Sequence, residues 1–373
     1  MIEFRRDLHR HPELAFQEFR TTGRVADRLA AAGLAPRALG HTGLVCDIPG
    51  DAEGATALRA DLDGLPVHDE KDVPYRSTFP GISHACGHDV HVAGVLGAGV
   101  VLARIAAERG LPRPVRLLFQ PAEEAIAGAR MMIDAGVLAP VRRVLGVHCD
   151  PKIQVGRIGL RTGPLTSACD LVKITVTGPG GHTSRPHESV DILSALAAIA
   201  TAVPSVVART VDPRVGLSIV WGRIEAGSSF NTIASHGAVE GTFRCTDEAS
   251  WMRLPGLVHA AIEDLSSAYG VDTEVAYTRG VPPVVNEAAS IDLLRRAAEH
   301  GLGAEAVVGT EQSLGGEDFA WFLREVPGAM ARLGVGRPGR TGEFDLHQGH
   351  FDVDEQAVPA AVRVLAGAAL LDV

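Results

Sequence analysis

His84-Ala85-Cys86-Gly87-His88-Asp89 places a thiol, two imidazoles and a carboxylate within six residues. Cys86 and His88 flank a glycine, so both side chains can approach one ion without crowding from between. The competing reading is a polar turn before a helix; in the metal reading Asp89 caps the helix that follows, and His84 and His91 hold supporting positions. Further metal-friendly groups follow predicted strands: Asp61 and Asp63 after Ala55–Ala60, Glu123 and Glu124 after Val115–Phe119, and His148 after Arg143–Val147. In open α/β sheets, ligands bind beyond the carboxyl ends of the strands. Taken singly, an Asp after a strand is a turn or cap residue, and two Glu at a helix start stabilise it by about 0.3–1 kcal/mol. Several such ends in one domain, together with Cys-Gly-His, point to a metal. Thiolate, imidazole and carboxylate suit Zn²⁺, and imidazole with carboxylate also suits Mn²⁺, Co²⁺ or Ni²⁺. Two neighbouring ions can share a water and lower its pKa, and the site then needs a general base. Glu123-Glu124 supplies ligand and base from adjacent positions if the backbone there is irregular, as Pro121 favours.

These residues need elements to hold them. Glu3 to Ala32 carries apolar residues at helical spacing, broken at Pro12 and stopped at Gly33. Strand-like runs at Gly43–Ile48, Ala55–Ala60, Val115–Phe119 and Arg143–Val147 alternate with helices expected at Asp89–Arg109 and Ala125–Ala135. That alternation predicts an α/β domain with a mainly parallel sheet and helices on both faces. After about Thr166 the pattern changes. Leu171–Thr177, Gly216–Arg223, Ala238–Arg244 and Thr273–Tyr277 read as strands, and Ser189–Ala208 and Glu248–Tyr269 as helices. This βαββαβ order predicts a compact α+β (ferredoxin-like) insert over 167–279. It interrupts a catalytic domain made of 1–166 and 280–373, in which helices Ala288–His300, Phe319–Leu323 and Val358–Leu370 and strand Ala331–Val335 complete the pattern.

Bulk composition narrows the function classes. The 373 residues are 46% hydrophobic and 21% charged, with a formal net charge of −10 and no dense Lys/Arg run. Nucleic acid and anionic membranes are therefore not expected as partners. The five cysteines are scattered and odd in number, which predicts a reducing compartment, read as the cytoplasm, rather than a disulfide framework. The N-terminus has no apolar signal core, and the longest apolar runs fall short of about 18 uninterrupted residues, so no membrane span is expected. Gly178-Pro179-Gly180-Gly181-His182-Thr183-Ser184 lacks the Lys of a phosphate-binding loop. Gly334-Val335-Gly336-Arg337-Pro338-Gly339 matches a dinucleotide glycine pattern formally, but Pro338 and the lack of a following helix make the match accidental. Leu346-His347-Gln348-Gly349-His350 offers two more imidazoles in a loop.

The segments RRDLHRHPELAFQE, LRADLDGLP, HACGHDVH, FQPAEE, GVHCDP, GPGGHTSRPH, GGEDFAWF and LHQGHFDVDE occur in this order over nearly the whole chain. As a set they resemble the metal-dependent amidohydrolases of the aminoacylase and carboxypeptidase superfamily, in the branch of hippurate hydrolase, indole-acetyl-amino-acid hydrolases and N-acetyl-diaminopimelate deacetylase. The resemblance implies a site for two divalent ions (Zn, Mn, Co or Ni) held by Cys86, His88, Glu124, His148 and His347, with Cys86 as a bridging thiolate. It implies Glu123 as the general base that activates water and then protonates the leaving amine, and Asp63 as an orienter behind the ligands. It makes the insert a lid or dimerisation domain, with His182 stabilising the oxyanion, often from the partner subunit. Asn231 and Arg244 would hold the substrate carboxylate, a task the planar Arg fork suits. The expected reaction is hydrolysis of an N-acyl amino acid by a homodimer paired through the insert. The alternative is a dipeptidase or carboxypeptidase using the same site. The chain departs from the family pattern at Thr232-Ile233-Ala234, where Val-Ile-Pro is common, and at Gln348-Gly349, where a Pro is usual.

Overall fold

Ala55–Asp61 and Gly328–Gly336 are buried at every position, as strands covered on both faces must be. The computed structural model, which describes Met1–Val373, places both inside an eight-stranded sheet. Its order is Arg37–Ala38, Leu44–Ile48, Val115–Gln120, Ala55–Asp61, Val141–Gln154, Gly328–Gly336, Ile158–Leu160, Val307–Gly309. The central strands Val115–Gln120, Ala55–Asp61, Val141–Gln154 and Gly328–Gly336 run parallel, and antiparallel neighbours lie toward the edges.

Alternate residues along these strands feed two separate cores. Leu44, Cys46, Ile48, Leu117, Phe119 and Leu145 join a large cluster that includes Leu8, Leu29, Leu96, Leu294 and Leu365 from five helices. Val45, Leu118 and Val144 face the other way, onto a smaller cluster with Met132 and Phe322 from the short helices Gly128–Asp134 and Ala320–Glu325. Helices therefore cover both faces of the sheet. The helix His88–Arg109 is long and apolar enough to cross a membrane by length and composition alone. Here it is a core helix, packed between the sheet and the helix Ala357–Leu371. A Cβ at Gly94 would stand 2.9 Å from that of Ala361, so the small residue sets the close approach.

The chain divides into two compact units. The larger, just described, comprises 1–165, 284–312 and 318–373; the smaller comprises 166–283 and 313–317. In the smaller unit the strands Ser218–Ala226, His236–Cys245, Ala168–Thr177 and Asp272–Val281 lie in that order, all antiparallel, with the helices Ile192–Ala208 and Glu248–Tyr269 between them in sequence. This is the βαββαβ arrangement. Each helix has an Asp N-cap: Asp191 accepts from Ser194 N at 3.0 Å, and Asp247 from Ser250 N at 2.7 Å. Two expectations need correcting. The helix read over Ala125–Ala135 is only Gly128–Asp134, and the strand expected to end at Val147 continues to Gln154. Gly334 and Gly336 lie inside a strand, and the next helix begins only at Ala357, so the pattern does not open a helix as a dinucleotide-binding turn would.

Candidate metal centre

Cys86, Gly87 and His88 form the entry to the His88–Arg109 helix. Gly87 has φ +83°, and a Cβ there would stand 2.7 Å from Cys149 Sγ, so the turn between the two metal-binding side chains requires glycine. His88 Nδ1 lies 2.9 Å from the Asp63 carbonyl oxygen and 3.2 Å from Asp63 Oδ1. Donating the Nδ1 proton there leaves a lone pair on Nε2, which is buried and has no hydrogen-bond partner. His148 follows the same logic: Nδ1 donates to the Cys149 carbonyl at 2.9 Å, and Nε2 faces Cys86 Sγ at 3.6 Å. Both rings thus present the tautomer a metal ligand needs. His148 lies within its strand, paired with Arg332, rather than at the strand's end.

Glu123 and Glu124 ride on an irregular turn, not a helix start. Ala122 and Ile126 on either side have φ +52° and +56°, rarely adopted by residues with a side chain. A Cβ at Gly128 would collide with the Pro121 carbonyl, which lets the turn close on itself. The turn brings Glu123 Oε2 to 3.9 Å and Glu124 Oε1 to 3.8 Å from His88 Nε2. His347, also left-handed at φ +64°, places its Nε2 3.6 Å from Glu124 Oε1. Its loop is anchored by donation from His347 N to the Ala85 carbonyl at 2.8 Å, one residue before Cys86.

Two candidate ligand triads result. One atom each from Cys86, His88 and His148 lie within 4.8 Å of one another, and so do atoms from Cys86, Glu124 and His347. The triads share Cys86. A third overlapping set, His88 with Glu123 and Glu124, joins them on the carboxylate side. The buried, unpartnered His88 Nε2 and Glu124 Oε1 point at one another's neighbourhood, so the donor set fits divalent cations.

The electrostatics agree. Burial pushes the His88 imidazolium down, but Asp61, Cys86 and Asp63 outweigh it and hold its pKa well above the usual value. A cage that favours a proton there favours a metal ion in its place. Burial raises the Cys86 thiol pKa far above its ordinary value, with Glu124 and Glu123 adding to it, so a thiolate at this position needs a cation beside it. Burial, with Arg332 and His91, holds His148 neutral well below its usual range. Glu124 is raised by burial against the pull of His88 and His347.

Other groups fall into place behind the ligands. Asp63 holds His88 through both its carbonyl and Oδ1, and its Oδ2 accepts from Glu124 N at 2.9 Å. His91 is not available as a ligand. Its Nδ1 is 2.6 Å from Asp61 Oδ1, and its Nε2 accepts from Cys149 N at 2.9 Å. Asp61 is depressed well below the carboxylate range: burial opposes ionisation, but Arg59, His88 and His91 win. Asp89 does not cap its helix, whose N-cap Gly87 has no side-chain bond. Asp89 is buried against Arg5 Nε at 2.6 Å and His9 Nδ1 at 2.7 Å. The RRDLHRH segment therefore braces the helix that bears His88. The helical spacing of Arg5 and His9 was the available signal for this role; their partner's distance in sequence hid it. His84 is buried and pushed down to about 4, chiefly by burial.

The predicted residues of the smaller unit are arranged differently. Gly181–His182 pairs with Thr232–Ile233 in a two-stranded ribbon, His182 opposite Thr232. His182 is exposed, and its Nδ1 accepts from Ser184 N at 3.1 Å, which puts the ring proton on Nε2. Asn231 is exposed, its Oδ1 accepting from Ser229 Oγ at 2.7 Å. Arg244, on the strand His236–Cys245, donates from one terminal nitrogen to the Leu314 carbonyl at 2.5 Å. Asn231 and Arg244 are not brought together by any bond within the unit.

Comparison with known proteins identifies the family. The profile of peptidase family M20/M25/M40 matches residues 57–371. A Rhodococcus jostii protein named as a glutamate–cysteine ligase is 44% identical over 374 residues, but the chain spans only 46% of that longer protein's length. An N-acetyl-L-cysteine deacetylase of Bacillus subtilis is 38% identical, with 96% of the chain covering 84% of it. A thermostable carboxypeptidase of Saccharolobus solfataricus is 35% identical, with 96% of the chain covering 91% of it. A dinuclear metal-binding M20 peptidase of known structure from Bacillus subtilis superposes with a TM-score of 0.87 at 32% identity, covering 99% of this chain and 96% of that one. The mostly parallel sheet, the paired ligand triads and these likenesses agree: the chain belongs to peptidase family M20/M25/M40 and is a metal-dependent hydrolase.

Proposed function

We propose that this hydrolase cleaves the amide bond of N-acyl amino acids at a two-metal site. The observation that carries the reading is the pair of ligand triads sharing Cys86, with Glu123 beside them. Cys86, His88 and His148 would hold one ion, and Cys86, Glu124 and His347 the other. Zn, Mn, Co and Ni all suit this donor set. When bound, the ions supply Lewis acidity, lowering the pKa of water and polarising the scissile carbonyl.

The chain's own residues do the rest. Glu123 takes a proton from the attacking water and delivers it to the amine nitrogen as the C–N bond breaks, so the carboxylate is regenerated. Asp63 fixes the His88 ring and the Glu124 backbone. His182, with its proton on Nε2, is a hydrogen-bond donor for the carbonyl oxygen as charge builds there. Asn231 and Arg244 bind the carboxylate of the amino-acid half. We read the smaller unit as a lid through which a homodimer pairs. The five unpaired cysteines support a reducing, cytoplasmic setting.

The likeness to a carboxypeptidase favours a second reading, cleavage of a dipeptide or a C-terminal residue at the same site. A panel of acetyl, benzoyl, succinyl and long-chain acyl amino acids beside dipeptides, each with added Mn²⁺, Zn²⁺, Co²⁺ or Ni²⁺, separates the two. Turnover of the acyl amino acids above the dipeptides is the expected result; turnover of dipeptides alone would replace it with the second reading.

A further inference from the structure

The turn that carries Glu123 and Glu124 is held from outside by three buried carboxylates. Glu18 Oε1 accepts from Ala122 N at 2.8 Å, just before the pair. Asp63 Oδ2 accepts from Glu124 N within it. Asp318 Oδ2 accepts from Ala129 N at 2.9 Å, just after it. Asp318 also takes Gln120 Nε2, at 2.7 Å to Oδ1 and 2.9 Å to Oδ2, so one carboxylate clamps both ends of the 120–129 segment. Arg59 completes the clamp, 3.0 Å from Asp318 Oδ1 and 2.8 Å from Gln120 Oε1. Glu18 sits in a strained turn of its own, where Phe16 has φ +61° and donates its N–H to Glu18 Oε1 at 3.0 Å. Glu18 and Asp318 are fully buried.

Two left-handed residues within five positions are costly for a chain, and a backbone so shaped persists only where its surroundings over-determine it. The shape is what aims Glu123 and Glu124 at His88 from adjacent positions. In a regular helix, neighbouring side chains diverge by about 100° and would not meet one target. We propose that Glu18 and Asp318 are positioning residues for Glu123: by fixing the N–H groups at the two ends of the turn, they hold the carboxylate that moves the proton. This rests on the reading of Glu123 as the general base. Neither Glu18 nor Asp318 belongs to the two triads that share Cys86, although a carboxylate oxygen of Asp318 also lies within 4.8 Å of one of Glu123.

The test compares Glu18→Ala, Glu18→Gln, Asp318→Asn and Glu123→Gln in the metal-loaded full-length enzyme, reading kcat, KM, metal content and Tm. Glu18→Ala should lower kcat about 10- to 100-fold with KM within about twofold and metal content unchanged, as expected for a displaced catalytic group. Glu18→Gln should restore kcat to within about threefold of wild type, because its amide oxygen still accepts from Ala122 N. Asp318→Asn turns an NH₂ toward donors it must accept from, and should cost about 10-fold in kcat at unchanged metal content. Wild-type kcat in Glu18→Ala or Asp318→Asn, equal damage in Glu18→Gln and Glu18→Ala, or a fall in kcat that tracks metal loss would overturn the proposal. Should Glu18→Ala not fold, Asp318→Asn set against Glu18→Gln decides by the same criteria. An active Glu123→Gln overturns the base assignment itself, whereas an inactive one beside normal Glu18 and Asp318 variants overturns only the positioning roles.

Discussion

The two units hold their chemistry-bearing side chains in opposite ways. In the larger unit, His88, His148 and Cys86 are buried, each ring is fixed by a bond to its far nitrogen, and the Glu123 turn is pinned at its N–H groups. In the smaller unit His182 is exposed on a two-stranded ribbon and Asn231 is exposed in the turn just before the ribbon's second strand, each held by one or two serine contacts. Burial and redundant bonding suit groups whose mutual distances must not change, because a metal tolerates only tenths of an ångström of error. Exposure on a short ribbon suits groups that meet a substrate only when it arrives. The contrast implies that substitutions in the larger unit act through metal content or geometry, and those in the smaller unit through turnover alone.

The sharpest break of that contrast is Cys86→Ser. Losing the thiolate common to both triads should weaken metal binding by about 100-fold or more, read by metal analysis after dialysis. Unchanged metal content would remove Cys86 from the ligand set. Next, His182→Ala should lower kcat about 100-fold, the loss of one oxyanion donor, while leaving metal content and Tm unaltered. A fall in Tm or metal content would assign His182 to a structural role and blur the difference between the units. Asp63→Asn should weaken metal affinity by about 10-fold, since it loosens both His88 and the Glu124 backbone; a wild-type titration would show that the backbone alone suffices.

The smallest expected effect concerns stability. Burial opposes ionisation of Asp69, but His9, Lys71 and the Ser77 N–H overcome it and depress its carboxyl pKa below the usual range. Such a group stabilises the fold above the unfolded-state pKa, and that contribution is lost as pH falls through the folded-state value. Asp69→Asn should therefore lower Tm most near neutrality, with the gap to wild type closing in acid. A pH-independent gap would mean that packing, not charge, is what Asp69 provides.

The candidate ligands Cys86, His88 and Glu124 lie in short local patterns, Cys-Gly-His at a helix start and Glu-Glu after a strand, whereas His347 was singled out only through the resemblance to a known family. The central strands and the βαββαβ insert were legible from apolar runs and their alternation. Ile158–Leu160 and Val307–Gly309 were not, since three residues are too few to show a period. The helix read over Ala125–Ala135 began too early because nothing in Ala, Ile or Gly announces that Ala122 and Ile126 are left-handed. That shape is imposed by Glu18 and Asp318, which stand about 100 and 190 residues away in sequence from the N–H groups they accept. Asp89 was read as a cap because its partners Arg5 and His9 are equally remote. Local chemistry was visible, and the long-range bonds that hold it in place were not.

Most directly, the account is tested by Glu123→Gln, measured for bound metal and for turnover of an N-acyl amino acid under the same conditions. Two divalent ions per chain are expected, as in wild type, with kcat reduced by about 1,000-fold or more through loss of the proton carrier. Turnover near the wild-type rate, or failure of the wild-type chain to retain two ions, would contradict it.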